Sequence, residues 1–264
     1  MPTISCNGIN LYYEVNGQGQ PLLFIHGLGS STRDWESQVP EFSQSHQVIT
    51  FDLRGHGQSD KPSGPYSIPL MAADTAALLK ALGIQSAHVV GISLGGGVAI
   101  QLALDAPELV KTLVVVNSGP AMGTSAADAR KEIEGRVALV QQYGMRAMGE
   151  ALGPRLFPKP EHASLRQTFV ERWAENDPRA YVDALLALAD WNVIDRIKSI
   201  RCPTLVIAAD QDYTPVALKE AYIKLMPDAR LIVIPDSRHA TPIERPQQFN
   251  ETLKQFLAQY REAR

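Results

Sequence analysis

Gly91-Ile92-Ser93-Leu94-Gly95 lies between a short apolar strand, which ends at Val90, and an apolar helix. A serine at such a strand–turn–helix junction sits on a tight, strained turn that pushes its hydroxyl out of the path of the chain. The residues two places before and after it must lack a Cβ atom, and Gly91 and Gly95 meet that demand. The motif predicts that Ser93 is a nucleophile. It also predicts that the N–H group of Leu94, at the start of the helix, helps to bind a developing oxyanion.

The strand before Ser93 is one of several short apolar runs that alternate with helical patterns. Because each run is nearly continuously apolar, the runs are typical of parallel strands covered by helices on both faces. Alternation of strands and helices predicts an α/β fold with a doubly wound, mostly parallel sheet. The predicted strands are Leu22 to Ile25, Val48 to Phe51, His88 to Val90, Leu113 to Val116, Thr204 to Ala209 and Leu231 to Ile234. The predicted helices of this core are Pro69 to Leu82, Leu94 to Leu104, Val216 to Leu225 and Pro246 to Tyr260.

The N-terminal segment has a different pattern. From Ile4 to Val15 the apolar residues alternate with polar ones, and Asn7-Gly8 interrupts the run. Asn-Gly between two alternating segments is a strong signal for a hairpin turn. We therefore expect an antiparallel hairpin at the edge of the sheet.

Residues 121–198 break the alternation of strands and helices, because this stretch contains helical patterns and no convincing strand. One helix is predicted to begin at a cap on Thr124 or Ser125 and to end before Gly144. The three prolines between residues 154 and 160 predict an irregular connection. We interpret residues 121–198 as a helical cap inserted into a core of residues 1–120 and 199–264. Five aromatic residues of this cap are candidates for the pocket wall or for the core of the cap: Phe157, Phe169, Trp173, Tyr181 and Trp191.

A serine nucleophile needs a base, and His239 is the best-placed histidine. It follows a predicted strand by five residues, so a strand-end loop can hold it over the carboxyl edge of the sheet, where the sites of such sheets collect. An acid must orient that imidazole. Asp210 and Asp212 both follow the strand that ends at Ala209, and position alone does not separate them. The chain order serine, aspartate, histidine differs from that of two well-known protease types.

Two further loops follow predicted strands. In His26-Gly27-Leu28-Gly29 the glycines allow close approach of the backbone to a substrate, and the N–H group of Leu28 is the candidate second oxyanion donor. His26 itself is interpreted as a structural hydrogen-bonding residue. In the segment that begins at Asp52, the side chains of Asp52, Arg54 and His56 are interpreted as ties that hold a loop.

Composition excludes several other classes of protein. The net charge is −3 and no dense basic run occurs, so neither a nucleic-acid surface nor an electrostatic membrane patch is expected. No signal sequence and no apolar run of about 18 residues, the length of a membrane span, is seen. The two cysteines, Cys6 and Cys202, fit no metal or redox spacing and are predicted to be buried free thiols of a cytoplasmic protein. Oligomeric state cannot be read from the sequence.

Together, these motifs resemble those of the α/β-hydrolase superfamily over nearly the whole chain, most weakly in the cap. The residues that carry the resemblance are the turn at 91–96, the loop at 26–29, the D-x-R-G-x-G-x-S segment at 52–59 and the H-x-x-x-x-E-x-P ending at 239–246. In this family the acid lies in a G-x-x-D stretch, here Ala209-Asp210-Gln211-Asp212. The resemblance therefore implies that Asp212 is the acid, although alanine replaces the usual glycine.

The resemblance is closest to small bacterial esterases and enol-lactone hydrolases. It implies a Ser93–His239–Asp212 triad that cleaves a small carboxylic ester or lactone without a cofactor or metal. Dehalogenases and epoxide hydrolases of this superfamily carry aspartate at the nucleophile position, where this chain has Ser93. Hydrolysis of carbon–carbon bonds is an alternative, although the tryptophan usual after the catalytic histidine is missing. A second alternative is a sensor that keeps a triad but signals by binding a small ligand.

Overall fold

The computed structural model describes residues 2–123 and 126–260. Its centre is an eight-stranded sheet in which the strands run in the order β1-β2-β4-β3-β5-β6-β7-β8. The pairs β1–β2 and β2–β4 are antiparallel, and every other neighbouring pair is parallel. The strands are β1 (Thr3–Cys6), β2 (Ile9–Asn16), β3 (Gln20–Ile25), β4 (His46–Phe51), β5 (Ala87–Ile92), β6 (Val110–Val116), β7 (Thr204–Ala209) and β8 (Ala229–Ile234). The doubly wound, mostly parallel sheet expected from the sequence is confirmed.

The N-terminal hairpin is also confirmed. Strands β1 and β2 pair across a turn at Asn7 and Gly8, whose φ angles of 49° and 78° are both positive. Asparagine and glycine are the residues that adopt this conformation most readily in a two-residue hairpin turn. The hairpin forms one edge of the sheet, so only part of it is covered.

Helices surround the sheet and connect its strands. The α-helices are α1 (Val39–Phe42), α2 (Ile68–Ala81), α3 (Leu94–Asp105), α4 (Ala126–Leu156), α5 (Ala163–Ala174), α6 (Pro178–Leu186), α7 (Val216–Ile223), α8 (Thr241–Glu244) and α9 (Pro246–Leu257). Short 3₁₀ helices lie at Thr32–Trp35, Pro107–Leu109, Pro160–His162, Ile197–Ser199 and Ala258–Tyr260. The four predicted core helices agree with α2, α3, α7 and α9 to within about three residues at each end, the usual uncertainty of such boundaries.

The core has two layers, one on each face of the sheet. Neighbouring residues of a strand point to opposite faces, so Leu23 and Ile25 join one cluster whereas Leu22 and Phe24 join the other. Helices α2 and α3 pack on the first face, and α9 packs on the second. Every residue of β5 and of β7 is buried. This burial explains why the central strands have continuous apolar sequences.

An insert of helices α4 to α6 follows strand β6, as the sequence predicts. Its first helix is interrupted at Gly144, which has φ 79° and ψ −177° inside an otherwise helical run. The cap residue predicted at Thr124 or Ser125 lies outside the described residues. The irregular connection predicted for residues 154–160 begins later than expected, because helix α4 continues to Leu156 and only residues 157–159 lie outside a helix. Phe157 N–H still donates to Gly153 O beyond the proline, and the buried Leu156 stabilises this last turn.

The two cysteines differ from their prediction. Neither thiol is fully buried: Cys6 and Cys202 are free but half-buried, so the prediction of buried cysteines is wrong. The physical reason is position, since Cys6 lies on the edge hairpin and Cys202 lies in the loop that leads into β7. Among the residues that the structure describes, no helix is long and apolar enough to cross a membrane.

Candidate active site

The turn at Ser93 has the geometry that its sequence predicts. Strand β5 ends immediately before this residue and helix α3 begins immediately after it. Ser93 has φ 53° and ψ −118°, a conformation that is strained for a residue with a side chain. A Cβ atom on Gly91 would lie 2.1 Å from Gly95 O, and a Cβ atom on Gly95 would lie 2.3 Å from Ile25 O. The two glycines are therefore required by backbone packing around the serine.

The start of helix α3 offers backbone donors beside Ser93. Gly96 N–H and Gly97 N–H both donate to Ser93 O. Leu94 is the first residue of the helix, so its N–H group has no acceptor within that helix. The partial positive charge of the helix N-terminus favours an anion at this point. Leu94, Leu28 and Ser93 all line one cavity. The structure thus brings both predicted oxyanion residues to the same space as the serine.

The structure separates the two candidate acids by their contacts. His239 Nδ1 lies 2.9 Å from Asp212 Oδ1, and the side chains of these residues are 12% and 0% exposed. The Asp210 carboxylate instead accepts a hydrogen bond from Ser237 N–H, at 3.1 Å. With Nδ1–H donating to Asp212, His239 Nε2 is the ring nitrogen that can accept a proton. His239 lines the same cavity as Ser93, as the sequence predicts for a base.

The Asp212 carboxylate is strongly stabilised in its charged form. Burial alone would raise the pKa of Asp212, but the neighbouring His239 and Lys219 and a hydrogen bond from Thr214 lower that pKa to about 2. Asp212 Oδ2 accepts hydrogen bonds from Thr214 Oγ1 and from Lys219 Nζ, the latter at 3.0 Å. The Asp212 carboxylate is therefore ionised at neutral pH.

Asn117 links the end of strand β7, which precedes Asp212, to the loop that carries His239. Its Oδ1 accepts a hydrogen bond from Ala209 N–H at the end of β7, at 2.8 Å. Its Nδ2 donates to His239 O at 2.9 Å and to Thr241 Oγ1 at 2.8 Å. Asn117 is buried and has a φ of 46°, which asparagine tolerates better than most residues. Sequence reasoning missed this residue, because its partners lie far away along the chain.

Tyr213 contacts the imidazole directly. The ring of Tyr213 stacks on the ring of His239 with a centroid distance of 4.2 Å and an interplanar angle of 27°. Tyr213 is 43% exposed and lines the same cavity as Ser93. Tyr213 therefore places a phenol ring beside His239 in that cavity. Nothing in the sequence marks Tyr213 beyond its position next to Asp212.

His26 has the structural role that its sequence context indicates. Its Nδ1 lies 2.7 Å from Gly27 O, and its Nε2 accepts a hydrogen bond from Leu53 N–H at 3.0 Å. Burial lowers the pKa of His26 to about 4. Both ring nitrogens are occupied by backbone partners, so this histidine is neutral at pH 7 and holds two loops together.

The loop after β4 is tied down by the residues that the sequence singles out. The Asp52 carboxylate accepts hydrogen bonds from Thr32 N–H and Gln58 N–H, both at 2.7 Å. The guanidinium of Arg54 forms a buried ion pair with Asp74. His56 Nδ1 lies 3.0 Å from Arg54 O. These contacts fix the loop and do not involve the cavity.

A cavity of about 750 Å³ lies between the sheet and the helical insert, and Ser93 and His239 lie in its wall. Of the five candidate aromatic residues of the insert, Phe169, Trp173 and Trp191 line it. Phe157 and Tyr181 are buried elsewhere in the insert. The sequence could not separate these two groups, because aromatic residues are typical both of a pocket wall and of a helical core. Charged residues also line the cavity, among them Asp34, Glu132, Arg136, Arg155 and Lys219.

The helical insert also contacts the loop that carries Leu28. Asn176 Nδ2 donates to Gly29 O at 2.9 Å. A Cβ atom on Gly29 would lie 2.9 Å from the ring of Trp173, and Gly29 has a φ of +70°. Arg172 forms an ion pair with Glu36 just beyond the same loop. The insert therefore holds the backbone next to the candidate oxyanion donor.

Comparison with protein families agrees with this arrangement. A family model for the alpha/beta hydrolase fold matches residues 20–246. RutD of Azorhizobium caulinodans, a candidate carbamate hydrolase, is 32% identical over 98% of this chain and 99% of its own length. The 3-oxoadipate enol-lactonase 2 of Acinetobacter baylyi is 30% identical over 98% of this chain and 97% of its own length.

Comparison with solved structures also finds enzymes of this kind. Est816, described as an N-acyl homoserine lactone degrading enzyme, superposes with a TM-score of 0.84 at 34% identity. That match covers 97% of this chain and 100% of the Est816 chain. Est816 and the two relatives above differ in the compound that their names give, so the likeness defines a family and leaves the substrate open.

Proposed function

The chain belongs to the alpha/beta hydrolase fold family, and from that premise we propose that it is a serine hydrolase of small carboxylic esters or lactones. Ser93 is the nucleophile, His239 is the general base and Asp212 is the acid that orients it. The N–H groups of Leu28 and Leu94 form the oxyanion hole.

The reaction has two halves. In the first, Ser93 Oγ attacks the ester carbonyl while His239 Nε2 accepts its proton, and Asp212 stabilises the imidazolium that forms. The oxyanion is held by the N–H groups of Leu28 and Leu94. Collapse of this intermediate breaks the C–O bond, and His239 returns the proton to the leaving alkoxide. Water activated by His239 then attacks the acyl-enzyme, and the acid product leaves Ser93.

One observation carries this proposal: the cavity that Ser93 lines also contains a histidine whose Nδ1 is bound, at 2.9 Å, to a fully buried carboxylate. That hydrogen bond fixes the tautomer in which Nε2 is the free base. A serine on a strained turn has little reactivity without such a base. The combination is what acyl transfer requires.

The walls of the cavity support a substrate with apolar groups. Three aromatic rings from the insert and several aliphatic side chains line the space beside Ser93. The names of the relatives, an enol-lactonase and an enzyme that degrades acyl homoserine lactones, add support for lactones. Carbamates enter as a second candidate because of the likeness to RutD, and they require the same attack on a carbonyl.

The test is steady-state hydrolysis of short-chain 4-nitrophenyl esters and of acyl lactones by the wild-type protein and by Ser93→Ala. We expect the variant to keep the wild-type melting temperature and to lose activity by at least about 10³-fold, because the nucleophile is gone. A Ser93→Ala protein that is folded and keeps a substantial share of the activity would refute the proposal. Turnover of a ring-fission diketone but of no ester would favour the carbon–carbon alternative instead.

A further inference from the structure

We propose that Lys219 is a positioning residue for the proposed triad. Its ammonium group holds the Asp212 carboxylate in place and keeps it ionised, from the oxygen that does not contact His239. This inference rests on the proposed function, since it assigns Asp212 to the acid position. The proposal adds Lys219 to the triad of Ser93, His239 and Asp212.

The two oxygens of Asp212 bind different partners. Oδ1 lies 2.9 Å from His239 Nδ1, and Oδ2 accepts hydrogen bonds from Lys219 Nζ at 3.0 Å and from Thr214 Oγ1. The Asp212 side chain is 0% exposed and that of Lys219 is 1% exposed. With both oxygens occupied, the carboxylate cannot rotate away from the imidazole without breaking a charge-assisted hydrogen bond.

The local sequence explains how a lysine reaches this place. Thr214 follows Asp212 by two residues, and helix α7 begins two residues later at Val216. Lys219 lies in the first turn of α7, from which Nζ also donates to Thr214 O. The lysine therefore binds both the backbone of the loop between β7 and α7 and the Asp212 carboxylate.

Burial of this lysine needs a reason, because a buried ammonium loses its hydration. Burial lowers the pKa of Lys219, and the negative charge of Asp212 offsets part of that effect. A lysine whose only task was to join α7 to the sheet could bind any carboxylate. This one binds the carboxylate that also binds the histidine, so its charge acts on the proton affinity of the imidazole.

The expected effect has a definite sign. A cation behind Asp212 reduces the negative potential at the imidazole, so it disfavours protonation of His239 and keeps the base active to lower pH. The other charged or titratable groups around His239 stay in place when Lys219 is replaced. They are Tyr213, which stacks on the ring, Arg136 and Arg155, which lie next to Tyr213, and the Arg238–Glu244 pair on the histidine loop.

The test compares Lys219→Met and Lys219→Gln with the wild-type protein. Methionine removes both the charge and the donor, whereas glutamine removes the charge and keeps a donor, so it is the variant to use if Lys219→Met does not fold. The matched control is Lys224→Met, which removes a lysine from the exposed C-terminal cap of the same helix. The measurement is kcat/KM for a short-chain aryl ester between about pH 5 and 9, where the acid limb reports protonation of the essential base.

We expect the acid limb to move to higher pH by about half a unit to one unit in both Lys219 variants. The plateau of Lys219→Met should also fall by about tenfold, because one hydrogen bond to a charged group is lost. The control should match the wild type. An acid limb that stays at the wild-type pH in both variants would overturn the proposal, even if the plateau falls, because a merely structural lysine would give that result.

An independent readout does not need turnover. The C2–H resonance of His239 can be followed by NMR as the pH changes, and its titration midpoint should rise in Lys219→Gln. If the wild-type protein hydrolyses no ester, the proposed function fails, but this titration still decides the role of Lys219. An unchanged midpoint would refute it.

Discussion

The two aspartates after strand β7 show how much depends on a single residue. Asp212 has both oxygens bound, one to His239 and the other to Lys219, whereas Asp210 accepts a backbone hydrogen bond from Ser237. The first arrangement is coupled to His239, and the second fixes a loop. The two residues therefore have different expected roles although they are two positions apart.

We predict that Asp212→Asn lowers kcat/KM by up to about 10⁴-fold, because an amide does not hold His239 in the tautomer that leaves Nε2 free. Asp210→Asn is the matched control, and its kcat/KM should remain within about tenfold of the wild type. Both variants should be assayed on one aryl ester, with circular dichroism to check folding. If the large loss of kcat/KM were found in Asp210→Asn instead, the acid would have been assigned to the wrong residue.

Sequence reasoning reached only some residues of the site. That Ser93 and His239 lie in one cavity could be predicted, because each follows a strand at a position that the fold brings to one edge of the sheet. The choice between Asp210 and Asp212 stayed open at the level of the residues, because both positions reach that edge. Asn117, Tyr213 and Lys219 could not be predicted: their importance comes from partners that only the folded chain brings near them.

At the scale of elements, the turn between β5 and α3 has the tightest steric requirements. A Cβ atom on Gly95 would lie 2.3 Å from Ile25 O and 2.5 Å from His26 O, both of which are backbone atoms that cannot move alone. Glycine 135 in helix α4 is a contrast, since nothing lies within 4 Å of the position of its Cβ.

We predict that Gly95→Ala destabilises the protein by about 3 kcal/mol or more, because the added methyl group overpacks the strand next to Ser93. Gly135→Ala is the control and should stabilise the protein by about 0.5–1 kcal/mol, as alanine does in an open helical position. Urea unfolding of both variants measures these changes. A Gly95→Ala protein as stable as the wild type would mean that the turn is looser than described.

The helical insert shows where element prediction fails. Its helical character could be predicted, and Gly144 marks a real break in helix α4. The end of that helix could not be predicted, since Pro154 is a breaker by its own chemistry and yet lies inside the last turn. Packing of Leu156 and a hydrogen bond from Phe157 to Gly153 outweigh the missing N–H group.

At the scale of the whole molecule, buried neutral histidines link stability to pH. Burial lowers the pKa of His26 to about 4, below its ordinary value of 6.5. Between these two values the unfolded chain binds a proton at this histidine that the folded chain does not. The contribution of His26 to the free energy of unfolding is therefore fully present above about pH 6.5 and is lost as the pH falls toward 4. For this residue alone the change amounts to about 3 kcal/mol.

We therefore predict that the free energy of unfolding falls between pH 6.5 and 4, and that His26→Asn reduces the slope of that fall. The variant should be less stable than the wild type at pH 7, because it loses the hydrogen bond between Leu53 N–H and the ring. The measurement is urea unfolding at four or five pH values. Equal slopes for the two proteins would show that His26 does not contribute to the acid sensitivity.

A hydrolase completes many catalytic cycles through an acyl-enzyme, whereas a sensor of the same fold need not, and we expect this molecule to do so. The most direct measurement is a stopped-flow trace of 4-nitrophenol release, with a short-chain aryl ester in large excess over the protein. We predict continuous release over hundreds of turnovers per molecule at roughly 1 s⁻¹ or more, within the ordinary range of enzymes. A burst of one equivalent followed by an almost flat line would contradict it, because the acyl group would then stay on Ser93.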